Sequence, residues 1–132
     1  MNRVVVTGLG VVSPVGNDVE SFWHALCAGS CGIGPITKFD TTDFKVKIAG
    51  EVRNFDPKQY MDKLDVLHSD IYTQFAMAAA CQAMADSRIA SEIEPERIGV
   101  YIGTGIGGIA TFMSEHQKLL EKGPRRVSPF FI

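Results

Sequence analysis

Apolar and polar positions at the start of the chain predict a strand, a glycine turn and a helix. Residues 3–7 form a continuous run rich in β-branched side chains that ends at Gly8 and Gly10, which is typical of a short buried strand. Asn17 is the predicted N-cap of the next helix, and Glu20 is placed to complete a capping box. The apolar residues of this helix recur at helical spacing: Val19, Phe22, Trp23 and Leu26. This order is the first half of a parallel crossover unit.

The middle of the chain predicts an excursion followed by a buried helix. Residues 33–60 have no helical period. Around Val46, Ile48 and Val52, apolar residues alternate with charged ones, which predicts a solvated edge strand or a hairpin. Residues 69–86 are predicted to form a helix. Because nearly every residue in its centre is apolar, we expect this helix to lie inside a larger structure and not at its surface.

A second strand, loop and helix follow from residue 98 onward. Residues 98–102 are predicted to form another buried strand, and residues 103–108 form a loop that contains four glycines. The next helix ends before Gly123 and Pro124, and its predicted apolar face consists of Ile109, Phe112, Met113, His116 and Leu120. Two strands of parallel type, each followed by a helix, predict an α/β fold.

The predicted elements leave apolar surface uncovered. Two parallel strands are too few for a stable sheet that is covered on both faces. The end of the chain, Phe130-Phe131-Ile132, is apolar, whereas termini are usually polar. We therefore expect this chain to be a piece of a longer protein, or to be covered by a partner.

Composition narrows the class of protein. With 132 residues, 45% of them hydrophobic and 21% charged, the chain has the size of one soluble domain that buries a substantial core. Its net charge of -2 predicts no general attraction to nucleic acid or to anionic membranes. No apolar run approaches about 18 residues, so no membrane span is predicted, and the start lacks a signal-peptide cleavage site. Three scattered cysteines fit a reducing cytoplasm.

The loop of residues 103–108 has the spacing of a dinucleotide-binding turn. Gly103, Gly105 and Gly108 match Gly-x-Gly-x-x-Gly after a predicted strand and before a helix, where backbone amides can receive a pyrophosphate. The acidic residue expected about 20 positions later at the end of a second strand is missing, since Glu121 lies on the helix itself. Close packing of backbone against backbone is the alternative explanation of these glycines.

The cysteines and histidines do not assemble a catalytic site in the sequence. Cys81 lies in the middle of an apolar helix, where core packing is expected. Cys27 is near a helix C-terminus, where the dipole disfavours a thiolate, and Cys27 and Cys31 lack the further ligands of a zinc site. His116 falls on the apolar face of its helix and is expected to be a core histidine. We therefore expect no catalytic residue and no metal site within this chain.

Five separated blocks together resemble one protein family. In order, they are VVVTGLGVVSPVGN at 4–17, Phe-Trp at 22–23, Phe-Asp at 39–40, IGTGIGG at 102–108 and GPRRVSPFFI at 123–132. The chain is thus similar to the N-terminal part of β-ketoacyl-acyl carrier protein synthases of the KAS II kind, over essentially its whole length. Residues 1–132 are expected to be an incomplete part of the ketosynthase N-terminal domain, about the first third of the family's chain.

The resemblance implies a thiolase-like α/β fold, with five layers ordered α/β/α/β/α in the parent protein, and a cytoplasmic homodimer. Members of the family condense an acyl thioester with malonyl-acyl carrier protein, release CO2 and use no cofactor. Their nucleophilic cysteine, two histidines and a lysine lie beyond the SPFF block. The resemblance therefore implies that the 132-residue chain alone is inactive, and that acyl carrier protein is a partner of the parent enzyme.

Two positions match functional positions of the family, and a third residue lies near another. Ile106 matches the residue that lines the acyl pocket and limits chain length, and Phe131 matches the aromatic residue that reaches the partner subunit's pocket. Lys63 is the cation nearest to the family's basic run, which docks the acidic carrier protein. Where the family has Arg, then Arg or Lys, then Met and Asp, this chain has Leu67-His68-Ser69-Asp70. Docking could instead use other cations: Lys45, Lys47, Arg125 and Arg126.

Other functions stay open on the sequence alone. The parent could be a chain-length factor that lacks the nucleophile, or a specialised polyketide ketosynthase. The glycine loop by itself is typical of an NAD(P)-binding oxidoreductase, and a stand-alone interaction module would need no chemistry. The residue at the nucleophile position would identify a chain-length factor, and saturable NAD(P) binding would identify the oxidoreductase.

Overall fold

The computed structural model describes residues 3–131, with Ala90 described by its backbone alone; the end of the apolar terminus, Ile132, lies outside this range. The described part contains four α-helices, two short strands and four 3-10 turns. The helices are α1 (Val19–Cys27), α2 (Lys63–His68), α3 (Ile71–Ser87) and α4 (Ile109–Lys122). The strands are β1 (Ile33–Pro35) and β2 (Ile48–Gly50), and the 3-10 turns are Pro57–Gln59, Ile89–Ser91, Pro95–Arg97 and Pro124–Arg126.

The N-cap of α1 lies one residue later than predicted. Asp18 caps the helix, because the Ser21 N–H donates to Asp18 Oδ1 over 2.8 Å. Glu20 is therefore the second helical residue, one position short of a capping box. Asn17 instead donates from Nδ2 to the Arg53 carbonyl oxygen over 2.8 Å. Both residue types cap helices well, so a contact that is distant in sequence decides between them.

The strands β1 and β2 pair antiparallel, which confirms the strand predicted around Ile48 as part of a hairpin. The paired residues are Ile33 with Gly50, Gly34 with Ala49, and Pro35 with Ile48. Directly after β2, Glu51 is buried although it is charged. Its carboxylate accepts hydrogen bonds from the Thr37 hydroxyl at 2.7 Å and the Thr37 N–H at 3.1 Å. These two bonds hold the pKa of Glu51 below its usual value, so the ionised side chain fastens the hairpin.

The two predicted buried strands, residues 3–7 and 98–102, are not strands in this structure. Neither segment makes a ladder hydrogen bond to another described segment, so this prediction is wrong for the described residues. Their side chains are also exposed, to 92% for Val4 and 97% for Tyr101. A strand requires a neighbour that satisfies its backbone groups, and no described segment does so here.

The segment that follows residue 7 lies directly on α3. A Cβ atom on Gly8 would come within 2.3 Å of the Ala83 carbonyl oxygen, and one on Gly10 within 1.9 Å of the Ala79 carbonyl oxygen. Glycine is required at both positions, because only a backbone without Cβ can approach the helix this closely.

Two side chains of α3 hold the same segment by hydrogen bonds. The Leu9 N–H donates to Asp86 Oδ2 and the Val11 N–H donates to Gln82 Oε1, each over 3.0 Å. Gln82 also donates from Nε2 to the Asn17 carbonyl oxygen over 2.8 Å. In a sheet, these backbone N–H groups would bond to a neighbouring strand. Here the side chains of α3 accept their hydrogen bonds instead.

The N-terminal half of α3 contacts α2 and an aromatic cluster. Gln74 is buried and donates from Nε2 to the carbonyl oxygens of Val66 and Ser69, each over 3.1 Å. Phe75 meets Phe55 edge-on, with ring centroids 4.9 Å apart. The helix therefore packs on these neighbours along part of its surface, but side chains such as Met77 and Met84 are exposed, so the prediction that it lies inside is not met by the described residues.

The chain buries less surface than its composition predicted. Its accessible surface is 10863 Å², against about 6,800 Å² for a folded monomer of this mass. Among the described apolar side chains, Ala78 of α3 is fully buried at 0% exposed. The expectation of a substantial core within these residues is therefore wrong, because most large apolar side chains face outward and not toward each other. The expectation of uncovered apolar surface is confirmed.

Candidate functional site

One open cavity of about 800 Å³ lies between the end of α2, the start of α3, the first turns of α4 and residues 130–131. It brings together Ile106 and Phe131, which lie 25 positions apart in the sequence. The lining residues are His68, Ser69, Asp70, Tyr72, Thr73, Ile106, Gly108, Ile109, Thr111, Phe112, Phe130 and Phe131. This cavity is the candidate site.

Aromatic rings supply much of the wall of this cavity. Phe130 stacks on His68, with ring centroids 4.1 Å apart and planes 17° from parallel. Phe131 lies against Phe112 at a centroid distance of 5.7 Å. Ile106, which is 77% exposed, adds an aliphatic side chain. Such a wall suits an apolar ligand, because removing apolar surface from water favours binding.

A carboxylate of the chain itself occupies the N-terminus of α4. The Thr111 hydroxyl donates to Asp70 Oδ1, and a Cβ atom on Gly108 would lie 1.9 Å from Asp70 Oδ2. The positive end of the helix dipole favours this carboxylate, which would repel a second anion. A pyrophosphate would meet this carboxylate at the start of α4, which argues against the NAD(P)-binding interpretation.

The glycines of the loop differ in what the structure requires of them. Nothing lies within 4 Å of a Cβ atom placed on Gly103 or Gly105, so close backbone packing does not explain these two residues. Gly107 has a φ of +72°, a conformation that favours glycine, and its N–H donates to Thr104 Oγ1 over 3.1 Å. Close backbone packing occurs instead at residues 8–10.

The cysteines lie away from the cavity, whereas one histidine lines it. Cys27 and Cys31 are exposed, Cys81 is half-buried on α3, and none of the three lines the cavity. His116 is exposed, so the prediction of a core histidine is wrong, because its face of α4 is turned toward solvent. His68, which the sequence marked only as a departure from a docking motif, is a lining residue of the cavity.

The described residues offer neither a cluster of metal ligands nor a helix able to cross a membrane. Within residues 3–131, no group of three or more His, Cys, Asp or Glu side chains is arranged to hold a metal ion. None of the described helices is long and apolar enough to cross a membrane. The longest, α3, has 17 residues, whereas a span needs about 20.

One residue of α4, Glu115, is a buried carboxylate that no sequence pattern indicated. Glu115 is 5% exposed. Its Oε1 forms an ion pair with Lys118, and its Oε2 accepts from the Ser128 N–H over 2.7 Å. The Lys118 hydrogen bond first, and the Ser128 amide second, hold the pKa of Glu115 below its usual value of 4.5. The apolar spacing on α4 predicted a different buried face, so no local pattern indicated this residue.

Cationic side chains lie outside the cavity. Lys63 is the first residue of α2 and is exposed, whereas His68 at the other end of the helix lines the cavity. A second cationic surface, with a groove of about 550 Å³, lies at the end of α4 and is lined by Lys118, Lys122 and Arg126.

The chain belongs to the ketoacyl synthase family, since the family model described as Beta-ketoacyl synthase, N-terminal domain, matches residues 1–132. Among curated proteins, it is similar to the 3-oxoacyl-(acyl-carrier-protein) synthase 2 of Vibrio cholerae, at 53% identity over 131 residues. The enzyme of the same name from Coxiella burnetii is 50% identical over 131 residues. Each match covers 98% of this chain but 32% of the length of the relative.

Solved structures of ketosynthases share the fold. The ishigamide ketosynthase/chain length factor matches with a TM-score of 0.75 and 30% identity, over 96% of this chain and 32% of that chain. AntDE:AntF, a type II polyketide acyl carrier protein in complex with its ketosynthase bound to the hexaketide, matches with a TM-score of 0.75 and 24% identity, over 96% of this chain and 34% of that chain. These likenesses confirm the thiolase-like α/β fold class.

Proposed function

We propose that this chain is part of a 3-oxoacyl-(acyl-carrier-protein) synthase of fatty acid biosynthesis. The reaction is a decarboxylative Claisen condensation, in which an acyl thioester is joined to malonyl-acyl carrier protein and CO2 is released. The observation that carries the proposal is that Ile106 and Phe131 line the same cavity, much of whose wall consists of aromatic rings. The identity of 46–53% to curated synthases supports the reaction class, and we propose a cytoplasmic location on the same resemblance.

The acyl chain is the proposed occupant of the cavity. Each methylene group that leaves water contributes about 0.8 kcal/mol, so a long acyl chain gains more from this wall than a short one. The space beside Ile106 then limits the length of the chain that fits. Phe131 lines the cavity of its own chain, and in a homodimer we propose that the same ring also borders the pocket of the partner subunit.

The nucleophile of the reaction comes from outside residues 1–132. Cys27, Cys31 and Cys81 do not line the cavity, and the chain spans 32% of the length of its relatives. We infer that these residues are an incomplete N-terminal part of the ketosynthase N-terminal domain and are inactive alone. Acylation of any of the three cysteines, measured by mass spectrometry, would contradict this inference.

Acyl carrier protein is the proposed partner, and it docks near Lys63. A carrier protein bound at the start of α2 would lie near the cavity, because His68 at the end of the same short helix lines it. The AntDE:AntF structure supports the pairing, since it holds a carrier protein with its ketosynthase. The alternative surface is the cationic groove that contains Lys122.

Charge reversal distinguishes the two docking surfaces. Lys63→Glu is expected to raise the KM for a carrier-bound thioester by about fivefold, the upper end for one exposed charge pair. The KM for a carrier-free thioester should stay unchanged. Lys122→Glu is the matched variant. A larger rise in the KM for the carrier-bound thioester in Lys122→Glu would indicate that the carrier protein docks at the groove at the end of α4.

A chain-length factor is the second candidate, because the ishigamide ketosynthase/chain length factor shares 30% identity with this chain. Such a subunit would keep the apolar wall and lack the nucleophile. The residue at the nucleophile position of the intact protein separates the two: a cysteine there supports the synthase.

Replacement of Ile106 by phenylalanine tests the proposed function. In the intact protein, Ile106→Phe should block condensation of long acyl thioesters and spare short ones, because the larger ring projects into the space beside position 106 that the end of a long chain needs. The measurement is kcat/KM against acyl chain length. Val46→Phe, on an exposed residue away from the cavity, is the control. If kcat/KM depends on acyl chain length in Ile106→Phe as it does in the unchanged protein, Ile106 does not line the acyl pocket.

A further inference from the structure

We propose that Glu115 is a positioning residue for the aromatic wall of the acyl pocket, a role that rests on the proposed function. Glu115 does not line the cavity itself. It acts through the backbone of Ser128, which in turn places Phe130 and Phe131. The length of acyl chain that the enzyme accepts then depends on a carboxylate that the acyl chain never touches.

The first step of the argument is the burial of Glu115. Its neighbours on α4, Ser114 and His116, are exposed, whereas Glu115 is buried. A buried carboxylate costs free energy unless its oxygens have hydrogen-bond partners. Here both oxygens have one: Oε1 pairs with Lys118 and Oε2 accepts from the Ser128 N–H. The carboxylate is therefore held in one position, and it holds Ser128.

The second step is the position of Ser128 at the start of a tight turn. Its carbonyl oxygen accepts from the Phe131 N–H at 3.2 Å, and its hydroxyl accepts from the Phe130 N–H at 3.1 Å. Pro129 lies at the second position of this turn, which proline favours. The backbone amides of both phenylalanines thus donate hydrogen bonds to Ser128, and the amide of Ser128 is itself held by Glu115.

The third step connects the turn to the cavity. Phe130 stacks on His68 and Phe131 lies against Phe112, and all four residues line the cavity. A shift of Ser128 would therefore move two rings of the wall at once. Because aromatic contacts depend on ring geometry, the expected consequence is a looser pocket that discriminates less between acyl chains.

Two conservative variants separate the effect of side-chain length at position 115 from the effect of its charge. Glu115→Gln keeps an oxygen acceptor at the same reach and loses the charge, whereas Glu115→Asp keeps the charge and shortens the side chain. If the hydrogen bond to Ser128 is what matters, Gln retains the function and Asp does not. Glu121→Asp makes the same chemical change on the exposed face of α4 and is the matched control.

The experiment uses the intact protein that carries these residues. The first readout is the ratio of kcat/KM for a long and a short acyl thioester. Glu115→Asp is expected to lower this ratio by about five- to tenfold, the size expected for one lost hydrogen bond. Glu115→Gln and Glu121→Asp should stay within about twofold of the unchanged protein. The second readout is hydrogen–deuterium exchange of residues 128–131, which should accelerate in Glu115→Asp alone.

The outcomes distinguish this inference from the proposed function. An unchanged ratio in Glu115→Asp, or unchanged exchange at residues 128–131, overturns the positioning role while the proposed function stands. If Glu115→Asp does not fold, the folded Glu115→Gln variant decides. A lowered ratio of kcat/KM for the long and the short thioester overturns the role. An unchanged ratio, together with slow hydrogen–deuterium exchange at residues 128–131, supports it. If the unchanged protein condenses neither thioester, the proposed function fails and the positioning role fails with it.

Discussion

Residues 8–10 and residues 103–108 look alike in the sequence, since each places glycines at alternate positions after an apolar run. In the structure, the first segment presses its glycines against the backbone of α3, whereas Cβ atoms on Gly103 and Gly105 would meet nothing within 4 Å. The second segment also carries Ile106 at the candidate acyl pocket. The same pattern therefore serves tight packing in one segment and an open wall in the other.

The difference lies in which property of glycine each segment uses. At residues 8–10 the missing Cβ removes a collision with helix carbonyl groups. In the loop, Gly107 uses its conformational freedom, with a φ of +72°, and Gly108 leaves room for the carboxylate of Asp70. A glycine spacing alone therefore does not identify a phosphate-binding turn.

The largest expected effect is that of Gly10→Ala. The new methyl group would lie 1.9 Å from the Ala79 carbonyl oxygen, and the hydrogen bonds from Leu9 and Val11 to side chains of α3 hold the two backbones together. We expect a loss of about 3 kcal/mol or more in the free energy of unfolding, measured by equilibrium denaturation of the intact protein. Gly103→Ala, in open space, should change it by less than about 0.5 kcal/mol. Equal losses in the two variants would contradict the comparison.

Gly108→Ala is expected to have an intermediate effect. Its methyl group would collide with the Asp70 carboxylate, which is the end of a side chain and can rotate away. The cost is then the hydrogen bond from Thr111, about 1–2 kcal/mol. In the Asp70→Ala background the same substitution should cost almost nothing, a coupling that a double-mutant cycle measures. Strict additivity would mean that the collision is not relieved through Asp70.

The smallest expected effect is a pH dependence near the cavity, at Glu115. Its pKa is lower in the folded chain than the usual 4.5, because Lys118 and then the Ser128 N–H favour the carboxylate. Its contribution to stability is therefore fully present above pH 4.5 and is lost as the pH falls through the lower folded-state value. The difference in Tm between the unchanged protein and Glu115→Gln should shrink toward acid. A difference that is constant with pH would refute this assignment.

The long helices could be predicted from local sequence. The apolar spacing of α1 and the uninterrupted apolar centre of α3 define both helices to within two residues of their observed bounds, and Gly123 stops α4 where predicted. These features depend on residues three or four positions apart, which lie on the same face of a helix wherever the rest of the chain is.

The short elements could not be predicted in the same way. The six residues of α2 are too few for a helix that is stable by itself, and Gln74 of α3 binds two carbonyl groups at its end. The strand β1 exists because β2 pairs with it. Residues 3–7 have the residue types of a strand but no described partner, so propensity alone is not sufficient.

In the candidate site, too, some features could be predicted from the sequence and others could not. The resemblance to ketosynthases marks Ile106 and Phe131 as pocket residues, and it identifies His68 as a departure from a docking motif. It does not show that His68 stacks on Phe130 within the same cavity. Nor does any spacing in the chain reveal that Glu115 is buried and bonded to Ser128.

By itself, the sequence determined the family, the three long helices and the apolar character of the residues around Ile106. Tertiary structure alone decided which glycines touch a helix, which carboxylates are buried and which aromatic rings share a cavity. The physical reason is the separation along the chain of the residues that each interaction joins. Helix periodicity and caps arise between near neighbours in the chain, whereas close packing and buried hydrogen bonds join residues whose distance in space the linear order does not contain.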